Sequence, residues 1–225
     1  SENWQWLVIL FALIQLLPAF LFLISPIPQL QSEDQKGSAA TLLRDRNLWI
    51  CVLSIFLGGA AECTMAQWSS GYLEMALGVP KAMGDIFGVA LFAFMLGLGR
   101  TLYAKHGRNI TKVLLWGSVG AVICYATAFA SQSPYLGLAA CALTGFCVSM
   151  LWPGSLVAVA ERIPAGGVVM YAMMAAGGDI GASVGPQLAG IIADAAGIRY
   201  GILAGLVFPL GGIAVNYLLY RQSRK

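Results

Sequence analysis

Two carboxylates stand inside long apolar runs: Glu62 in LGGAAECTMAQWSSGYLE and Asp179 in MMAAGGDIGASVGPQLAG. No Lys or Arg lies within ten positions of Glu62 on either side. An ionised group in hydrocarbon costs several kcal/mol, so such residues are kept for pairing or for function. A carboxylic acid shielded from water favours its neutral form, which is the chemistry of a proton carrier. The simpler alternative is a permanently protonated acid hydrogen-bonded to a neighbouring helix. Gln67 and Trp68 beside Glu62, Ser183 and Gln187 beyond Asp179, and Trp152 next to Pro153 are the polar and aromatic groups able to line a site with these acids. Ideal helical spacing puts Ser69 on the face of Glu62 and turns Trp68 away from it.

These residues need elements that hold them at one depth. The chain is 59% hydrophobic and 10% charged, with mean hydropathy +0.77, too few charges to coat a soluble domain of 225 residues. About 20 apolar residues make a membrane-crossing helix, and seven stretches qualify: 6–25, 48–72, 84–103, 111–130, 135–160, 168–193 and 199–220. Backbone groups in lipid must bond within their own segment, which favours helices, and the ten-residue alternation of barrel strands is absent. The expected fold class is all-α, a polytopic helical membrane protein. Glu62 and Asp179 both fall within ~3 Å of the middle of their spans.

The basic residues orient the spans. With the N-terminus outside, inner loops and tail hold Lys36, Arg44, Arg46, Arg100, Lys105, Arg108, Lys112, Arg162, Arg221, Arg224 and Lys225, and the outer side holds only Lys81 and Arg199. Positive residues favour the cytoplasmic side, which puts the C-terminus there. The net charge of +3 thus reflects topology and does not point to nucleic acid. The first span lacks the basic leader of a signal peptide. The chain opens on SENWQW without a Met, so further polypeptide is expected upstream.

The chain divides into residues 1–27 as a single helix, 28–47 as a polar linker, and 48–225 as six spans with short connections. In the sixth span Gly177, Gly181 and Gly185 repeat at every fourth residue, a pattern that lets a neighbouring helix approach closely. Asp179, Ser183 and Gln187 repeat in the same way on the nearly opposite side. One side of this helix is built for packing and the other for a polar interior. Pro153 and Pro186 are expected to kink their helices. Gln15 and Asn216 are candidates for hydrogen bonds between helices. Glu74, Asp85, Glu161 and Asp194 fall near span ends, where water or headgroups reach them.

Several functions are disfavoured. The five cysteines all fall inside spans, form no CxxC pair, and read as small apolar packing groups. The one histidine, His106, lies in a basic loop, and no metal-ligand spacing, hydrolase elbow or phosphate loop is present, so neither an enzyme nor a cofactor is expected. A retinal-type seven-helix protein needs a lysine in its last span, and residues 199–220 hold none. A receptor or a non-transporting membrane scaffold is the alternative class; a scaffold has no need of buried acids.

Three stretches carry a resemblance: AECTMAQWSSGYLEMALGV, GLGRTLYAKHGRN and GGDIGASVGPQLAGIIADAAG. Together they resemble the C-terminal half of a major facilitator superfamily transporter, preceded by its sixth helix and central cytoplasmic loop, and among its branches the fucose-permease-like proton-coupled group. In this resemblance Arg100, Lys105, Gly107 and Arg108 stand in the second copy of the family's cytoplasmic loop signature. The sequence departs from that signature, with Ala104 at the position of the usual aspartate and Arg100 at that of the leading glycine. The resemblance implies one bundle of two inverted three-helix repeats and alternating access around a site near the bilayer midplane. It implies partners as well: lipid, a small solute with protons, and a missing N-terminal half or second copy to complete the site, in a bacterial inner membrane. No Lys or Arg is placed deep in these spans, so this half is expected to lack a counter-charge for an anion and to suit neutral sugars or cations.

Overall fold

A computed structural model of the chain describes residues 4–25, 39–107 and 109–224. Residues 28–38 of the expected 28–47 linker, with Lys36, and the basic residues Arg108 and Lys225 lie outside the described residues. The chain forms two compact units, Ser1–Gln35 and Lys36–Lys225. In the first, helix α1 runs from Trp4 to Ile24 and includes the apolar stretch Val8–Ile24.

In the second, a short helix α2 (Ala39–Leu43) precedes six helices long and apolar enough to cross a membrane. These are α3 (Arg46–Leu77), α4 (Lys81–His106), α5 (Ile110–Ala130), α6 (Pro134–Arg162), α7 (Gly167–Ala196) and α8 (Ile198–Gln222). Among the described residues there are no strands, and the protein is all-α and polytopic.

The ends of these helices are written locally. The Asp45 carboxylate accepts the Asn47 N–H (2.8 Å) to start α3, and Asn109 accepts the Lys112 N–H (3.0 Å) to start α5. Helix α3 stops at Gly78, which takes φ 68°, while the Gly78 and Val79 N–H groups return to the carbonyls of Glu74 and Leu73. Helix α4 contains a π-helical stretch, Gly84–Ala90. Helix α6 is interrupted at Ser149–Met150, just before Pro153, and α8 at Leu206, just before Pro209.

Helix α3 is the hub of the second unit. It packs against α4, α6, α7 and α8 and buries Leu48, Ile55, Met65, Tyr72 and Leu73 completely. Lipid is as apolar as leucine, so close packing and hydrogen bonds hold membrane helices together. Both are present. Gly177, Gly181 and Gly185 of α7 lie against Val52, Phe56 and Ala60 of α3, so near that a Cβ would strike the Phe56 and Ala60 backbones.

At a polar node in the core, the Ser54 hydroxyl donates to Asn216 Oδ1 (2.7 Å) and lies 3.0 Å from the Ser155 hydroxyl. Asn216 in turn donates to the Ser118 hydroxyl (3.0 Å). Four helices (α3, α5, α6 and α8) meet at this node.

Two arginines cap helix ends. Arg199 donates to the carbonyls of Phe129, Ser131 and Ala76, where α5 and α3 finish. Arg162 donates to the carbonyls of Ala158 (3.0 Å) and Leu219 (2.8 Å), near the ends of α6 and α8. A guanidinium satisfies several orphan carbonyls and complements the negative end of the helix dipole.

Candidate functional site

Glu62 stands at the middle of α3 and is not alone. The guanidinium of Arg100, from α4, donates through Nη2 to Glu62 Oε1 at 3.1 Å and to Oε2 at 3.5 Å. The expectation that these spans hold no deep cation is therefore corrected. Arg100, placed by the resemblance in a loop signature, lies inside α4, six residues before its end at His106. It meets Glu62 near mid-span because α4 crosses α6 at that level, with Gly99 packed on Ser149. A residue of several rotatable bonds can carry its charge about another turn along the helix.

Pro153 explains how Arg100 is held. A proline has no N–H, so the carbonyl four residues earlier loses its helical partner. That carbonyl belongs to Ser149, and Arg100 Nε donates to it at 3.0 Å. The proline read from the sequence as a kink thus also creates the acceptor that anchors the site's cation. Nη1 of Arg100 has no hydrogen-bond partner among the described residues. The Arg100 side chain is 44% exposed and that of Glu62 18%, so the pair lies at the edge of the bundle with the arginine facing outward.

Asp179 lies on α7, within about three residues (~4 Å along the axis) of its middle. Its side chain is exposed. Cys63, half-buried, lies within electrostatic reach of both Glu62 and Asp179. Trp152 packs over Gly178 and Gly59, the residues beside Asp179 and close to Glu62 in sequence.

The remaining predicted residues gather in a separate cleft of about 460 Å³, lined by Gln67, Trp68, Ser183, Gln187 and Asp194 between α3 and α7. There Trp68 Nε1 donates to the Pro186 carbonyl (3.0 Å). The structure thus sorts the predicted residues into a charged group around Glu62 and a polar cleft further along α7. Ser69, expected on the face of Glu62, is fully buried, and its hydroxyl has no partner among the described residues. Lys105 and Gly107 sit at the end of α4.

Two of the acids near span ends have polar partners. Glu74 forms an exposed ion pair with Lys81 at 3.7 Å, and Asp85 accepts the Ser70 hydroxyl. Among the described residues, no group of His, Cys, Asp and Glu is arranged to hold a metal ion.

Sequence reasoning missed Arg100 as the partner of Glu62, and with it the Ser149 carbonyl. One signal was available: a proline four residues after Ser149 announces an unpaired carbonyl in mid-span.

Six apolar helices packed on glycine seams, with a charged pair at mid-depth, define a polytopic membrane protein with a polar face. The chain belongs to the Major Facilitator Superfamily, whose family model matches residues 105–225. An uncharacterized MFS-type transporter of Pseudomonas aeruginosa strain LESB58 is 31% identical over 101 residues, covering 43% of this chain and 24% of the relative. A second such transporter, from strain PAO1 of the same species, matches with the same identity and coverage. The alignment therefore covers about a quarter of the length of these relatives.

Proposed function

We propose that this chain is part of a secondary transporter that moves a small polar solute, a sugar or a related molecule, together with protons by alternating access. In this reading the C-terminus is cytoplasmic and a second six-helix half, or a second copy, completes the solute site. The observation that carries it is the Glu62–Arg100 pair near mid-span, partly open at the bundle edge, with Asp179 at a matching depth. Intramembrane ion pairs are costly, and a carboxylate whose partner is half-exposed can exchange that partner for a proton. Glu62 carries the proton; Asp179, Trp152 and the cleft around Gln67, Trp68, Ser183 and Gln187 offer hydrogen-bond and stacking groups to the solute. Membership of the superfamily and the names of the relatives support transport over a receptor or scaffold role.

The test is made with the full-length protein in pyranine-loaded proteoliposomes. A panel of sugars, polyols and sugar acids is added, and inward proton movement is followed. The expected result is proton entry with at least one solute and its loss in Glu62→Gln. Proton entry of wild-type size in Glu62→Gln refutes the role given to this residue.

A further inference from the structure

We infer that Arg100 is an anion receptor and that the transported solute bears a carboxylate, which replaces Glu62 on the guanidinium. This inference rests on the transport reading above and names the substrate class for the same site. Arg100 is tethered by Nε to the Ser149 carbonyl, which fixes the plane of its fork. Both contacts to Glu62 are made by Nη2 alone, at 3.1 and 3.5 Å, and Nη1 is open among the described residues. An arginine held from behind, with its outer Nη1–Nη2 edge only half used, matches the bidentate geometry that a carboxylate prefers. Glu62 is then a resident competitor for that edge.

The exchange balances in charge. Glu62 takes up one proton and releases Nη2, the solute carboxylate takes the vacated edge, and one guanidinium still faces one carboxylate. Solute and proton therefore enter as a neutral sum, which spares the protein from moving an uncompensated charge through the membrane centre. The titratable group in contact with Glu62 is Arg100 from α4; Cys63, beside Glu62 on α3, also lies within electrostatic reach of Asp179 on α7. The Tyr125 hydroxyl of α5 is committed to the Ala61 carbonyl. Helices α6 and α8 carry their charged residues near their ends: Glu161 and Arg162, Arg199 and Arg221. Asp179, exposed on α7 and within electrostatic reach of Cys63 beside Glu62, disfavours a second negative charge on the solute and can accept its hydroxyls. The class that fits is a hydroxylated monocarboxylate.

A matched pair of probes tests this: D-gluconate and D-glucitol, which differ only in a carboxylate for a hydroxymethyl group. Both are titrated calorimetrically into the purified full-length protein at acidic and at slightly alkaline pH. Gluconate is expected to bind at least about tenfold more tightly than glucitol, the scale of one charge-assisted contact, and more tightly at acidic pH. Arg100→Gln is expected to abolish the preference. Glu62→Gln, with the competitor gone, is expected to tighten gluconate binding and to remove its pH dependence, a gain that misfolding cannot imitate. Equal affinity for the two probes, or a preference that survives Arg100→Gln, overturns the inference. The two readings fail separately: proton-driven uptake of polyols without a gluconate preference sinks the anion site alone, whereas a gluconate preference without proton movement sinks the coupling alone.

Discussion

Replacing Gly185 with alanine tests whether the seam between α3 and α7 carries the fold. A Cβ built on Gly185 lies 2.6 Å from the Ala60 carbonyl oxygen, 2.6 Å from Thr64 Oγ1 and 2.9 Å from Ala60 Cα. Relief to ordinary contact requires the helices to part by roughly 0.8 Å or more, because the obstacle is mostly backbone and cannot rotate away. Thr64 cannot easily yield either, since its hydroxyl already donates to the Ala60 carbonyl at 2.6 Å. Overpacking of this kind costs about 1–3 kcal/mol, which at about 2–4 °C per kcal/mol for a chain of this size lowers the unfolding midpoint by roughly 2–12 °C. The assay is thermal unfolding in detergent followed by tryptophan fluorescence, since Trp68 and Trp152 both flank this seam. Gly97→Ala is the control: it is also inside a helix, and nothing lies within 4 Å of the position its Cβ would take. Equal midpoints for Gly185→Ala and wild type, or an equal loss in Gly97→Ala, refute the reasoning that the glycines are there for close approach.

Pro153→Ala restores an N–H that competes with Arg100 for the Ser149 carbonyl; the expected result is weakened solute-driven proton entry with little loss of thermal stability, and unchanged coupling would detach the proline from the site. Asn216→Leu removes the bonds that join α3, α5 and α8 and is expected to cost about 1–3 kcal/mol in denaturant unfolding; a neutral outcome would mean the node is dispensable. Arg199→Lys keeps the charge but cannot span three carbonyls, so roughly 1 kcal/mol of stability should be lost on the same scale. Cys63, half-buried next to Glu62 and within electrostatic reach of Asp179, should react with a cationic methanethiosulfonate faster than with an anionic one, while the buried Cys51 and Cys141 stay unlabelled by mass spectrometry.

The parts of this protein that were legible in its sequence are those set by local spacing. Apolar run length gives the six long helices, and the four-residue repeat of Gly177, Gly181 and Gly185 marks a packing stripe opposite Asp179, Ser183 and Gln187 without knowledge of the partner helix. What was not legible depends on which residues of different helices meet. Glu62 and Arg100 are 38 positions apart, and Ser54 and Asn216 are 162 apart. No periodicity links such pairs. Arg100 was also obscured by a motif: counting back from Lys105, Gly107 and Arg108 assigned it to a loop, whereas the helix runs on through it to His106.

The site illustrates why a lone acid in an apolar run is better read together with the prolines of other spans than with its own neighbours. An arginine at mid-depth needs acceptors for its donors, and a helical carbonyl that has lost its ladder bond is more open to a side chain than one that already holds an N–H. Pro153 removes one such bond at the level where α4 crosses α6, and the freed Ser149 carbonyl takes Nε. With that tether made, Glu62 supplies a further partner from α3 through Nη2, and Nη1 stays open among the described residues. The tether holds the cation at this depth whichever carboxylate occupies its outer edge. A partner can then be exchanged without the arginine itself losing its place, and that is the physical requirement for a charge pair that turns over in a membrane.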